Sequence, residues 1–261
     1  MILKRQDRDG VARLVLNAPE RLNALSDAML LALQTTLDTI AGESGIRVVV
    51  IAAEGRTFCA GHDLTEIRAA RAAPDKGAAK LADLFTRCAR VMTTIRDMPQ
   101  PVIAEVGGLA TAAGCQLVAA CDLAIAADTA RFGVNGVNIG LFCSTPMVAL
   151  TRNVGRKQAF EMLVTGRFLN ADEAVAAGLV NRAVHADRLQ EEVLGLAETI
   201  TAKLGAAVRI GKRAFHAQAE MGLDDAYAYA GEVMVENMMD EGTAEGIAAF
   251  LEKRKPDWAA D

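Results

Sequence analysis

The feature that most constrains this chain is a change of period along it. Up to Gly155, short apolar runs of strand type alternate with helical segments. Helices laid over a sheet require that alternation. Beyond Gly155 nearly every segment has helical period, and strand-type runs end with Leu179 to Val184. The expected architecture is α/β followed by α.

Individual segments sharpen this picture. Val11 to Asn17 alternates as a strand does, and Val48 to Ala53 is a continuous apolar run of the kind that suits a strand covered on both faces. Ser26 is placed to cap a helix whose Leu30, Leu33, Leu37 and Ile40 share one face. Leu81, Leu84, Phe85, Cys88, Met92 and Ile95 repeat the helical period, and Pro99-Gln100-Pro101 closes that helix before a strand from Val102 to Val106. Arg68 to Lys80, rich in alanine and charge, is expected as a loop or frayed helix, and Leu123 to Ala127 as a further strand. Asn170 with Glu173 has the form of a capping box, and Gly178 sits where that helix should end. At 261 residues the chain can bury one large core without disulfides or metals.

Charge and cysteine usage exclude several classes. The 28 Lys and Arg against 33 Asp and Glu give a net charge of −5, with both signs interspersed, so neither nucleic acid nor an anionic membrane is an expected partner. The five cysteines are odd in number and lack C-x-x-C spacing, which points to reduced thiols and a cytoplasmic location. The first ten residues are highly charged and carry no signal-type apolar core. The longest apolar stretch, Leu109 to Ala127, is broken by Gln116 and Asp122 and does not read as a membrane span. Phosphate-loop, dinucleotide and G-x-S-x-G motifs are missing, and His62, His185 and His216 are too scattered to suggest a metal site.

Two segments retain chemical interest. Phe58-Cys59-Ala60-Gly61-His62-Asp63-Leu64 is a turn of small residues after a strand, able to bring backbone amides close to a ligand. Gly107 to Cys115 runs from a strand into a helix whose first turn carries almost no side-chain bulk. Helix starts have free N–H groups and a positive dipole end. Brought together, two such amides would form an oxyanion hole; kept apart, they would be packing devices.

These segments carry a resemblance. Leu16-Asn17-Ala18-Pro19-Glu20-Arg21-Leu22-Asn23-Ala24-Leu25, Phe58 to Leu64, Gly107 to Ala127, and Gly246 to Pro256 together resemble, in order, the motifs of the crotonase (enoyl-CoA hydratase/isomerase) superfamily. The resemblance implies a crotonase-like fold of repeated ββα units over residues 1–195, with a helical C-terminal trimerisation region over 196–261. It further implies homotrimers or dimers of trimers, and an acyl-CoA thioester as substrate. No separate cofactor is implied, since coenzyme A belongs to the substrate. By the same resemblance the thioester oxygen meets the N–H groups of His62 and Ala113. Ala60, His62, Asp63, Leu64 and Thr65 then lie along CoA, Arg21, Leu22 and Ala24 near its nucleotide end, and Phe250 and Lys253 reach it from a neighbouring helix or subunit. Arg21 and Lys253 also have the plainer reading of solvated surface charges.

The chain departs from the family where hydratases carry two glutamates. Gln116 stands at the first position and Gly136 at the second, and neither can act as a carboxylate base. The stretch from Phe132 to Pro146 also differs from the glycine-rich loop of hydratases, and is similar to a subgroup named for its hydratase domain rather than for a reaction. Ser144 falls where related isomerases and dehalogenases carry an aspartate, or caps the following helix. The other base or nucleophile candidates are His62, with Asp63 orienting it or capping the next helix, and Cys143. Hydration of a 2-enoyl-CoA is the expected reaction. The alternatives are an acyl-CoA binding or regulatory protein, an isomerase, or a thioester hydrolase.

Overall fold

The computed structural model describes residues 1–258. Its first unit pairs β1 (Leu3–Arg8) with β2 (Val11–Leu16) and continues into α1 (Asp27–Ala41). The second runs through β3 (Val48–Ala53), β4 (Thr57–Cys59), α2 (Leu64–Ala70) and α3 (Ala78–Asp97). The third is β5 (Val102–Val106), β6 (Leu109–Thr111) and α4 (Ala113–Ala120). After β7 (Leu123–Ala127) and β8 (Arg131–Gly133) come α5 (Pro146–Leu150), α6 (Arg156–Thr165), β9 (Phe168–Asn170), α7 (Ala171–Ala176) and β10 (Arg182–Val184). The chain finishes in α8 (Leu189–Thr201), α9 (Gly205–Gln218), α10 (Leu223–Met238) and α11 (Glu241–Leu251).

The strands divide between two sheets. The larger has the order β1-β2-β3-β5-β7-β10, parallel except for the β1–β2 hairpin, and the smaller has the order β4-β6-β8-β9. The first unit keeps both of its strands in the large sheet, whereas β3, β5 and β7 lie in the large sheet and the three-residue strand after each, β4, β6 and β8, lies in the small one. That repetition is the crotonase-type architecture the resemblance implied.

The run Val48 to Ala53 is apolar throughout because both its faces are covered. Val49 and Ile51 join the main core with Leu33, Leu37, Val91 and Ile95, while Val48 and Val50 pack with Leu189, Val193 and Ala197 of α8. Full burial of each such side chain contributes about 1.5–3 kcal/mol. Because α8 covers the large sheet, the 195/196 boundary expected from the resemblance falls inside a helix that belongs to the core body.

Local signals act as their chemistry dictates. The Ser26 side chain accepts from the N–H of Met29 at the start of α1, and Asn170 and Glu173 form a reciprocal capping box on α7. Gly178 takes φ +79° after α7. The alanine-rich region Arg68 to Lys80, expected as a loop or frayed helix, holds the end of α2, a turn, and the first residues of α3. No helix among the described residues is long and apolar enough to cross a membrane.

Candidate functional site

Asn23 locks the first site segment. It is fully buried: its Oδ1 accepts from the N–H of Ala18 at 2.9 Å, and its Nδ2 donates to the carbonyls of Glu54 and Thr57 at 2.9 and 2.7 Å. The turn it holds, with Leu22 and Asn23 both at positive φ, lies against the second segment. The Ala60 N–H donates to Leu22 O at 3.1 Å and the Leu25 N–H to Gly61 O at 2.8 Å. The Arg21 guanidinium pairs with the Asp63 carboxylate, so Arg21 is not simply a solvated charge. Asp63 caps α2, accepting from the N–H groups of Thr65 and Glu66, and among the described residues makes no hydrogen bond to the His62 ring. Arg21, Leu22, Ala24, Ala60, His62, Asp63, Leu64 and Thr65 are thus brought into one neighbourhood.

The third segment closes on it at Gly61. This glycine has φ +89°, and a Cβ there would sit 2.9 Å from Ala112 Cβ and 3.2 Å from the backbone nitrogen of Ala113. Gly114 is equally tight, since its Cβ would fall 2.1 Å from the carbonyl oxygen of Cys59. Only glycines at these two positions let β4 and its following turn touch the first turn of α4. His62 and Ala113 are therefore adjacent across this contact, and no acceptor among the described residues takes either backbone N–H. Two neighbouring free amides, that of Ala113 at the start of α4, suit an oxygen that gains negative charge.

The side chains around the amides are unusual. His62 is half-buried, with Nδ1 3.4 Å from Leu25 O, Nε2 buried without a partner, and its ring edge-on to Phe85 at 5.6 Å. Desolvation pushes its pKa below the ordinary histidine value, assisted by the charge of Arg87 and opposed by the Leu25 carbonyl. Gln116, one helical turn beyond Ala113, is only 4% exposed and its Oε1 has no partner. At Gly136 a Cβ would meet Leu141 O at 2.5 Å and Cys143 Sγ at 2.9 Å, so the chain path there leaves no room for a side chain.

Other candidates lie less favourably. Ser144 is exposed, and it does not cap α5: Thr145 holds the capping position without a side-chain bond, while the Ser144 hydroxyl reaches only Phe142 O at 3.4 Å. The Cys143 thiol is buried, which pushes its pKa up against a smaller opposing effect of the Gly136 backbone. Phe250 is 81% exposed at the end of α11, and no hydrogen bond, ion pair or ring contact among the described residues links it or Lys253 to the site segments. No cluster of three or more His, Cys, Asp or Glu side chains that could hold a metal occurs among the described residues. The positive φ at Gly61 and at Ala112 escaped sequence reasoning; the small-residue runs that contain them were the only signal.

A two-sheet ββα spiral with paired backbone amides at the start of α4 defines the class. A family model described as enoyl-CoA hydratase/isomerase matches residues 6–261, and the chain belongs to that family. It is 45% identical over 251 residues to human enoyl-CoA hydratase domain-containing protein 3, mitochondrial, covering 96% of this chain and 81% of that one. The Xenopus laevis protein of the same name is 45% identical, covering 97% and 84%. Among solved structures it is similar to an enoyl-CoA hydratase of Mycobacterium smegmatis, with a TM-score of 0.96 and 53% identity over the whole of both chains. The human domain-containing protein 3 gives a TM-score of 0.94 and 44% identity over 99% of this chain and 100% of that one. The subgroup resemblance read from the sequence is thereby shown.

The cytoplasmic expectation does not stand, because the relatives that share this subgroup name are named mitochondrial. Its premise was unpaired cysteines. All five are free and buried, and burial pushes the thiols of Cys59, Cys88 and Cys115 up to about 12. Buried thiols held in the neutral form are poor nucleophiles, so unpaired cysteines of this kind say little about a compartment.

Proposed function

We propose that this chain binds an acyl-CoA thioester with the thioester oxygen accepting from the N–H groups of His62 and Ala113, and that it acts on 2-enoyl-CoA through enolate stabilisation. The observation that carries the reading is the contact of Gly61 with Ala112 and Ala113, which sets the two unused amides side by side. One such donor contributes about 2.7–4 kcal/mol toward an oxyanionic transition state. A water added at C3 needs a base, and with Gln116 and Gly136 in the two positions the titratable candidate is the neutral imidazole of His62. Arg21 and the exposed Leu64 and Thr65 line the approach taken by CoA.

Purified protein incubated with short 2-enoyl-CoA esters should yield the species one water heavier, followed by mass spectrometry. Proline at position 113 removes the donor at the first helical residue, and it also strains the preceding peptide, since Ala112 holds φ +50° and ψ −120° rather than the extended conformation favoured before proline. Ala113→Pro, with folding checked by its Tm, should abolish that turnover; undiminished hydration in the folded variant would sink the mechanism. A second reading, an acyl-CoA binding protein without turnover, is favoured by the blocked Gly136 and is what unchanged but bound ester would indicate.

Assembly into trimers belongs to the same proposal. Helices α9 to α11 and the residue that ends α10 leave Phe215, Leu223, Tyr227, Met239, Phe250 and Leu251 exposed, and large apolar side chains gathered in water mark an interaction surface. Light scattering on the purified chain checks it: a monomer mass at micromolar concentration would contradict it.

A further inference from the structure

Thr111 ends β6, one residue before the strained Ala112 and two before Ala113. Its side chain is buried, and its hydroxyl donates to Asn135 Oδ1 in the short helical turn Asn135–Ile139. Among the described residues, every other threonine hydroxyl that donates does so to a carbonyl three or four residues back, as Thr39 does to Thr35 O and Thr151 to Met147 O. Such bonds stay inside one helix. The Thr111 bond instead joins two segments 24 residues apart.

What it holds is a corner where three segments meet. The Thr111 carbonyl oxygen lies 3.2 Å from where a Cβ on Gly61 would stand, one residue before His62. Thr111 is paired with Gly133 in the small sheet, and Gly133 O accepts from the Ala112 N–H at 2.9 Å. Ala112 then turns to φ +50° and ψ −120°. Its ψ sets the plane of the Ala112–Ala113 peptide, and with it the direction of the Ala113 N–H. A residue other than glycine keeps such a conformation only where its surroundings over-determine it. Its own methyl group supplies no polar restraint. On the strand side the restraints are the bond to Gly133 and the grip of Thr111 on Asn135 two residues further on, which tie β6 to the chain leaving β8 at successive points.

Resting on the reading of His62 and Ala113 as donors to a thioester oxygen, we infer that Thr111 is a positioning residue: its hydroxyl, by holding Asn135, fixes the strained corner that aims the Ala113 N–H. Thr111 acts through Ala112 and Ala113 and touches no substrate. A hydrogen bond that served the fold alone would change stability and leave the polarisation of a bound ester as it was. A bond that keeps a donor in its working direction is read at the oxygen the donor meets.

Thr111→Val keeps the branched side chain and removes the hydroxyl, whereas Thr111→Ser keeps the hydroxyl. Each full chain is saturated with butyryl-CoA carrying carbon-13 at the thioester carbonyl, and the infrared band of the bound ester is read alongside affinity and Tm. In the parent chain the band should lie at lower wavenumber than for the free ester in water. Thr111→Val should bring it part of the way back, and Thr111→Ser should leave it with the parent, whatever either does to Tm. Asn135→Leu removes the acceptor and should act as the valine variant does; in the double variant the two displacements should not add. It also serves alone if Thr111→Val does not fold. A parent-like band in folded, ester-bound Thr111→Val or Asn135→Leu would overturn the inference and leave the acyl-CoA reading intact, as would a serine variant displaced as far as the valine one. A parent band at the free-ester position would remove the paired donors and this inference together.

Discussion

Gly61 and Ala112 show how backbone conformation at single residues can set chemistry. Ala112 holds φ +50° and ψ −120°, a region L-residues rarely enter, at a cost of about 1–3 kcal/mol. Its N–H donates to Gly133 O at 2.9 Å and its carbonyl accepts from Gln116 N–H at 3.1 Å, which hold the strained peptide in place and aim the next N–H outward. Nothing in an alanine within an alanine-rich run signals this. Gly61→Ala combines a forbidden φ with a Cβ pressed on Ala112, so it should destabilise the chain by about 2 kcal/mol or more and lower CoA ester affinity with it. Denaturant titration and ester binding, measured together, check this, and an unchanged pair of values would contradict it.

His62 makes a pH-dependent contribution at the same scale. Burial holds its folded pKa below the ordinary value near 6.5. As pH falls through that value the unfolded chain takes up a proton that the folded ring refuses. The folded state therefore loses stability across that window, and the loss levels off once pH drops below the folded value. Between about pH 8 and about pH 5.5, the Tm of the parent chain should fall more steeply than that of His62→Gln. Parallel curves would show that the ring is not held neutral by its surroundings.

At the scale of elements, the turn from Asn135 to Cys143 defines what the site cannot be. The Leu141 N–H donates to Gly136 O at 2.9 Å, and the Thr111 hydroxyl donates to Asn135 Oδ1, so the turn is tied to itself and to β6. Installing both glutamates, Gln116→Glu with Gly136→Glu, should therefore not raise hydration above the rate of the parent chain. The second substitution forces backbone apart and should cost about 1–3 kcal/mol or more. Hydration gained at an unchanged Tm would refute this. That Gly136 replaces a glutamate was legible from the family resemblance; that its surroundings have closed over the position was not, because it depends on contacts five and seven residues away.

Elements were legible in proportion to their length. Runs of five or six apolar residues and helices with intact caps were readable, since period and caps are local properties. The strands β4, β6, β8 and β9 have three residues each, too few to display a period of two. The strand Phe168–Asn170 went unassigned, and its last residue was read only as the cap of α7. These short strands make the small sheet, and that sheet positions the segments that hold His62 and Ala113.

On the scale of the whole molecule, one buried cluster joins the C-terminal helices to the core. Lys212 of α9 donates from Nζ to Ile95 O at 2.7 Å, Gln100 O at 2.8 Å and Asp122 Oδ2 at 2.7 Å. Asp122 also accepts from Val102 N–H at 2.7 Å and sits 3.0 Å from His216 Nε2. Lys212→Met leaves the carboxylate without its cation and should cost about 3–5 kcal/mol of stability. A denaturation midpoint within error of the parent would show that the α9 attachment lies elsewhere.

The account stands or falls on the bound thioester being polarised by the His62 and Ala113 amides, and isotope-edited infrared spectroscopy of butyryl-CoA labelled with carbon-13 at the thioester carbonyl reads this directly. Two N–H donors on the oxygen weaken the C=O bond, so the band should move to lower wavenumber in the complex and return toward the free value in Ala113→Pro. A bound ester whose carbonyl band stays at the position it has in water-free solvent would contradict the proposed site.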